Sequence, residues 1–590
     1  MKRLIFFLMI LAGFAMQASA YDFQSGNLLY TIISTDPPQV SIFSHADGQA
    51  AQGELVIPET VTHEGITYTV TVIGKNAFSG CLSLSGNLVI PNTIEEIKAG
   101  AFYDCSGFTG NLVIPNSVTK MNIDNSPQGT VPGTFENCTG FNGYLDLSDS
   151  LEIIGDAQGG GCFSGCVNLT GVLVIPNSVT YVGESAFDFC SGFTGTVVIP
   201  ESVTEIGHHA FGGCSGIEDV VFSDTPLLMG SNVFNGCTSL TDIDIPEGWT
   251  TTGVSTFQYC TNLRKVHLPE SLTEIGYAAF EDCPNLADIN FPNNLRTIDM
   301  WAFCNCVSLE SLDLPDSLVD IFNGAFSGCA GLSGDLVISN HVERLRTWVF
   351  QSCTGIKHLV LGESLNYIME LAFQDTDIEA ITIKATVPPE LDGQAFGPNN
   401  WHFGRDIPVI VPCGTLEAYH NAEGWSEFTN IQEGVTNSLM VVSSDEYAGT
   451  VNIIKEATCD DRLVEVEALP NEGCKFLYWE ANGEQVSYMT SYSFMLEEDT
   501  ELVAYFSCSN TGMNESGETV SVYPNPAREK VTVEGMEVAE MQVFNTVGQL
   551  VKTVRGTNEV GVNDMQSGVY VLRIMDTAGV SCVERVTVVR

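Results

Sequence analysis

The sequence predicts a β-rich solenoid of about fourteen coils of roughly 23 residues sharing a parallel sheet, followed by two small all-β modules. Three observations predict it. A Phe, usually in an Ala-Phe-x-x-Cys context, recurs fourteen times at near-constant spacing between residues 78 and 396. The complete unit 260–280 carries a Leu-x-x-Val-x-Leu run, the alternation of a short half-buried strand. Residues 436–590 abandon that period for alternating apolar runs broken by turn residues.

Residues 1–20 read as a signal peptide. Lys2 and Arg3 precede an apolar run from Leu4 to Ala15, and Ala18, Ser19 and Ala20 supply small residues for cleavage between Ala20 and Tyr21. The run is short for a permanent span, and no later stretch approaches a membrane helix in length, so no integral membrane span is expected. No Cys lies near the cut to carry a lipid anchor. Residues 21–60, with LLYTII and ELVIP, suit an N-terminal β cap that protects the end of a solenoid.

The repeat occupies residues 61–412. Its anchors are Phe78, Phe102, Phe135, Phe163, Phe187, Phe211, Phe234, Phe257, Phe280, Phe303, Phe326, Phe350, Phe373 and Phe396. Residues 260–280 hold one full unit. Leu263, Val266 and Leu268 face inward while Lys265 and His267 point out. Pro269 ends the strand, Leu272 and Ile275 turn inward, Gly276 permits a tight bend and Phe280 closes the coil. One unit cannot bury this face alone, so neighbours must stack and their strands pair in parallel, giving a rod of roughly 65 Å at about 4.8 Å per coil. The stacked rings, Phe187 through Phe326 at their most regular, form an internal spine.

Twelve Cys follow the anchor by three residues, from Cys81 to Cys353; Thr376 and Asn399 replace them in the last two units. Secreted cysteines suggest disulfides, yet side chains at one phase of stacked coils all point the same way into packed interior. An unpaired structural ladder is the favoured reading. Cys304-x-Cys306 and Cys162-x3-Cys166 lack metal-ligand spacing and nearby His.

Residues 413–435 depart from the period and form a C-terminal cap, with Thr415 starting a short helix and Trp425 and Phe428 covering the last coil. Residues 436–508 read as a small all-β module from LVEVEAL, KFLYWEA, YSFML and ELVAYF. Its aromatics Phe476, Tyr478, Trp479, Tyr492 and Phe494 are first of all core; a glycan platform is the alternative. Cys459 and Cys474 flank one strand pair and could bridge. Residues 509–519, polar and Gly-bearing, are a linker. Residues 520–590 alternate short strands and turns, as in a β-sandwich.

Three segments resemble known families. IPNSVTYVGESAFDFC (175–190) and IPESVTEIGHHAFGGC (199–214) resemble the leucine-rich repeats of BspA-like bacterial surface proteins. That resemblance implies a leucine-rich-repeat solenoid on a secreted or surface protein, sometimes an adhesin. ALPNEGCKFLYWEANG with SYSFMLEEDTELVAYF resembles divergent internalin-B-type repeat modules. The tail is similar to the C-terminal sorting domain of type IX secretion substrates, through Tyr523, Pro524, Asn525 and Pro526, then Gly548, Gln549 and Leu550, then Ser567, Gly568, Val569 and Tyr570. That likeness implies passage across an outer membrane by the secretion machinery, then cleavage or exchange for surface anchorage.

The charge narrows function. With 23 Lys+Arg against 73 Asp+Glu, a formal net charge of -50, the surface repels nucleic acid and anionic lipid and tolerates cationic or neutral partners. Solubility is the plainer account of that charge. No H-E-x-x-H, G-x-S-x-G, Walker loop or dinucleotide fingerprint is present, so no catalytic residue, metal or cofactor is expected. His208 and His209 read as surface residues. A partner, protein or glycan, would meet the outward strand positions Asp219/Val221, Asp242/Asp244, Lys265/His267, Asp288/Asn290 and Ser311/Asp313. The insertions at 121–133 and 156–161 are second candidates. The expected function is adhesion or macromolecular interaction at the surface; a glycan-binding or passive structural component is the alternative, and an unrecognised hydrolase a distant third.

Overall fold

In most units the local chain geometry is set on either side of the anchor phenylalanine, where two residues take positive φ. The computed structural model describes residues 21–590 except 123–131, 156–159, 226, 397–404, 446, 509–520, 524–526, 529, 535–537, 545–549, 564, 566–567, 577–580 and 589–590. Two residues before the anchor, Ser185, His209, Asn232, Ser255, Ala278, Trp301 and Trp348 have φ of 50–60°. Two residues after it, Asp104, Asn137, Phe189, Tyr259, Asp282 and Asn305 have φ of 55–61°. The chain therefore reverses twice around most of these anchors. Gly276 plays a different part from the bend expected of it. A Cβ there would lie 2.3 Å from the Gly253 carbonyl oxygen, so glycine lets neighbouring coils approach closely.

The chain divides into two units, residues 1–436 and 437–590. The first begins with the cap. Strands β1 (Phe23–Ser25), β2 (Leu28–Thr35) and β3 (Pro38–His45) form an antiparallel meander. After β4 (Gln52–Glu54), β5 (Thr60–His63) and β6 (Ile66–Ile73) make a hairpin. β6 runs parallel to β3 and to Glu96–Ile97, so the cap sheet continues into the coils. β4 pairs in parallel with Ser83–Ser85.

The solenoid carries two parallel ladders. The anticipated one joins Asp242–Asp244, Lys265–His267 and Asp288–Ile289. A second joins Glu274–Ile275, Thr297–Ile298, Asp320–Ile321, Arg344–Leu345, Tyr367–Ile368 and Glu390–Leu391. Ile275 thus lies in a strand, where only an inward turn was expected. Inside, every consecutive pair of anchor rings from Phe78 to Phe396 stacks, with centroids 5.0–5.8 Å apart.

The cysteine ladder is unpaired, and it is also bonded. From Cys105 onward each ladder thiol donates to the backbone carbonyl of the preceding coil's anchor: Cys105 to Phe78 at 3.0 Å, Cys190 to Phe163 at 3.1 Å, Cys283 to Phe257 at 3.2 Å and Cys353 to Phe326 at 3.1 Å, while Cys81 donates to Gly48 in the cap at 3.2 Å. The same carbonyl accepts the amide of its own coil's cysteine, as when Phe78 accepts Cys81 N–H, so both lone pairs are used. Burial pushes the thiols of Cys105 and Cys166 up to about 12, which keeps the proton that makes the bond. Thr376 instead donates to Phe373 in its own coil.

At the far end Phe428 meets Phe396 edge-on at 6.2 Å and stacks on buried Trp425, so both residues cover the last coil as expected. Thr415 stands at the N-cap of helix α1 (Leu416–Asn421) but its hydroxyl donates to the Pro412 carbonyl. The free amides of Leu416 and Gly414 are taken by the Glu433 carboxylate at 3.1 and 2.8 Å.

In the second unit, residues 439–508 form two sheets. One orders Leu439–Ser443, Thr500–Cys508, Cys474–Ala481 and Glu484–Ser487; the other orders Gly449–Lys455, Leu463–Pro470 and Ser491–Met495. Trp479 is buried, whereas Tyr478 and Tyr505 stack at 4.7 Å and remain half-buried. Cys413, Cys459 and Cys474 are disulfide-bonded, and Cys474 stands opposite Cys508 in the strand register. The tail is a sandwich of a three- and a four-stranded sheet around Val531, Met541, Leu572 and Ile574.

Candidate functional site

The strand alternation places Ile243 and Val266 in the core and turns their neighbours outward, and parallel pairing aligns those neighbours. Asp242 sits beside Lys265 and Asp244 beside His267; Lys265 in turn sits beside Asp288. All five are exposed, as are Ser311 and Asp313, which lie in a stretch without strand pairing. Asp219 is half-buried, with the Thr196 hydroxyl 3.5 Å from its carboxylate, and Val221 is exposed.

The face is unevenly neutralised. The Lys265 ammonium lies 3.1 Å from Asp288, and that hydrogen bond holds it above the usual lysine range. Asp242 and Asp244 have no ion pair or hydrogen-bonded cation among the described residues. Asn290 is already committed: its Oδ1 accepts Leu268 N–H and its Nδ2 donates to Leu268 O, both at 2.8 Å. It extends the ladder by one side chain in place of a strand, and offers little to a ligand.

A groove of about 400 Å³ opens at this face, lined by Asp219, Asp242, Asp244 and His267 and by two acids outside the expected set, Asp224 and Glu247. Glu247 is occupied, accepting the amides of Glu270 and Ser271. Asp224 is exposed. Both stand at one repeat phase, 23 residues apart, which Glu270, Asn293 and Asp316 continue, and that recurrence is the sequence signal that could have found them. Among the described residues no three His, Cys, Asp or Glu converge in a metal-holding group. His208 and His209 are exposed on the surface; His208 Nδ1 accepts the Ser231 amide at 2.8 Å.

The other sequence-marked positions divide. Ala20, most of both insertions, Pro524, Asn525, Pro526, Gly548, Gln549 and Ser567 lie outside the described residues. Tyr523 ends the strand Ser521–Tyr523, Leu550 opens Leu550–Arg555, and Gly568, Val569 and Tyr570 open Gly568–Asp576. The described part of the tail signature falls at strand ends, and Tyr570 is buried in the sandwich core.

Residues 60–156, 116–194, 157–287 and 273–400 match the BspA type leucine-rich repeat region. The chain belongs to this BspA-type family. Residues 521–589 match the secretion system C-terminal sorting domain, so this BspA-type protein is a type IX secretion substrate delivered to the cell surface or the extracellular space. No helix among the described residues is long and apolar enough to cross a membrane. Solved structures with similarity include a leucine-rich repeat protein from Bacteroides ovatus, 23% identical with a TM-score of 0.49, covering 70% of this chain and 100% of that one. A leucine rich cell surface protein from Faecalibacterium prausnitzii is 23% identical with a TM-score of 0.37, covering 58% and 94%. The pneumococcal vaccine antigen PcpA is 17% identical with a TM-score of 0.36, covering 70% and 98%. No curated protein matches the chain.

Proposed function

We propose that this BspA-type protein is a non-enzymatic surface interaction protein, an adhesin whose acidic strand face engages a protein or glycan partner. The observation that carries the reading is the set Asp219, Asp242, Asp244 and His267 around one groove, with the Lys265 ammonium held by Asp288 at the margin. Asp242 and Asp244 stand two residues apart on one strand and carry like charge with no ion pair among the described residues, and a partner bearing cations would relieve their repulsion. The spine behind them gives the face its rigidity, which lowers the entropy lost on binding. Export by the tail puts the face where such partners are met.

The test is binding of the mature protein to immobilised collagen, laminin and mucin across a salt series. Saturable, salt-sensitive binding weakened by Asp242→Asn with Asp244→Asn is the expected result. Binding indifferent to both salt and these substitutions refutes the reading. A glycan-binding role for the second unit has one observation in its favour, the half-exposed stack of Tyr478 on Tyr505. Sugar binding abolished by Tyr478→Ala, with the strand-face variant unaffected, would favour it.

A further inference from the structure

The N-terminal cap carries an open cavity of about 430 Å³, distinct from the strand face, bounded by the β1–β2 turn, the end of β3, β4 with the residues after it, and β5. Two of its lining side chains are deeply buried and polar. Tyr30 is 1% exposed and His45 6% exposed. The Tyr30 hydroxyl has no hydrogen-bond partner among the described residues, and it is not among the polar atoms sealed away from solvent. His45 accepts the Asp47 amide on Nδ1 at 3.1 Å, so the neutral ring carries its proton on Nε2, which likewise has no partner among the described residues. Neither atom is sealed from solvent, so both present open hydrogen-bonding capacity to the cavity, where an occupant can take it up.

The chemistry of the wall selects the occupant. Leu28, Val56 and Pro58 give an aliphatic surface. Nε2–H is a donor, the tyrosine hydroxyl can donate or accept, and the Glu54 carboxylate at the exposed rim accepts. No Lys or Arg lines the cavity, which disfavours phosphate and carboxylate ligands. A sugar ring presents this same mixture, with hydroxyls that donate and accept around an apolar C–H face. The size lies within the range of small-ligand pockets. We propose that the cap cavity binds one sugar unit of a glycan, through Tyr30, His45 and Glu54. This site is independent of the strand face and would stand if that face bound nothing.

The experiment is ligand-observed saturation-transfer NMR on the full mature chain, with glucose, galactose, mannose, fucose and N-acetylglucosamine as separate probes. At least one sugar is expected to receive saturation. Tyr30→Phe keeps the ring and removes only the hydroxyl, and should weaken that sugar by about fivefold without lowering the melting temperature. Val56 is 75% exposed at the rim, so Val56→Arg should fold normally and abolish the transfer by lying across the mouth. Absence of transfer to every sugar overturns the proposal. So does transfer that survives both substitutions, which would place the sugar elsewhere on the protein.

Discussion

Raising the pH should dismantle the solenoid through its cysteine ladder. Eleven thiols from Cys105 to Cys353 are buried and donate to the coil before them, and burial raises each of them from an ordinary value of 9.0. The folded state keeps these protons well above 9.0, to about 12 at Cys105 and Cys166, while the unfolded chain releases them above 9.0. Below that value both states are protonated and the effect vanishes. Above it the unfolded state binds fewer protons, so stability falls with rising pH. Between about pH 8 and about pH 10 each thiol contributes roughly 1.4 kcal/mol of lost stability, one pH unit of differential ionisation. Eleven of them sum to about 15 kcal/mol, comparable with the whole stability of an ordinary domain. Repeat arrays need not unfold in one step, so the loss is read best by circular-dichroism melting with thiol labelling at each pH. The midpoint should collapse between about pH 9 and about pH 10, with labelling rising in step. Cys283→Ala should flatten the pH slope by one thiol's share. A midpoint that stays level across this range, with thiols still protected, would refute the protonated-ladder account.

Phe280→Ala removes one ring from a spine stacked at 5.4–5.7 Å on either side, and should cost about 3–5 kcal/mol in chemical denaturation; an unchanged midpoint would contradict the spine. Gly324 has φ of +64° and lies beneath Trp301, where a Cβ would fall 2.2 Å from the ring, so Gly324→Ala should destabilise by about 2 kcal/mol and separate the Trp301–Trp348 stack, visible in near-ultraviolet circular dichroism. Burial raises the Asp188 carboxyl to about 6, so ionising it at neutral pH opposes folding. Asp188→Asn should therefore raise the unfolding free energy at about pH 7.5 by about 1 kcal/mol after allowance for its partial exposure, with a matching rise in melting temperature, and not at about pH 4.

The features legible in the sequence were those repeated at one phase. The Phe column, the inward Cys and the alternation around Val266 recur often enough to show which side each residue faces, and Trp425 and Phe428 stood out by breaking the period. Most of what escaped notice had no repeated signature. Two-residue strands such as Glu274–Ile275 are too short to show alternation, so the second ladder read as a turn. Positive φ is usually announced by Gly or Asn, but Trp301, Trp348, Phe189 and Tyr259 occupy those positions because the coil around the anchor overrides local preference. Glu433 caps a helix that begins 17 residues before it, beyond the reach of local capping rules. For the strand face, alternation identified the exposed positions. It could not reveal that Asn290 is bonded to Leu268 or that Asp224 joins the groove.

The central claim is that this BspA-type protein meets its partner through the outward acids and not through the spine that carries the family signature. The most direct measurement is the affinity of the mature protein for immobilised collagen, laminin and mucin, before and after Asp242→Asn with Asp244→Asn. Melting curves confirm that both forms are equally folded. A loss of about tenfold at low salt, shrinking as salt rises, is the expected result. Equal affinities at every salt concentration would contradict the claim.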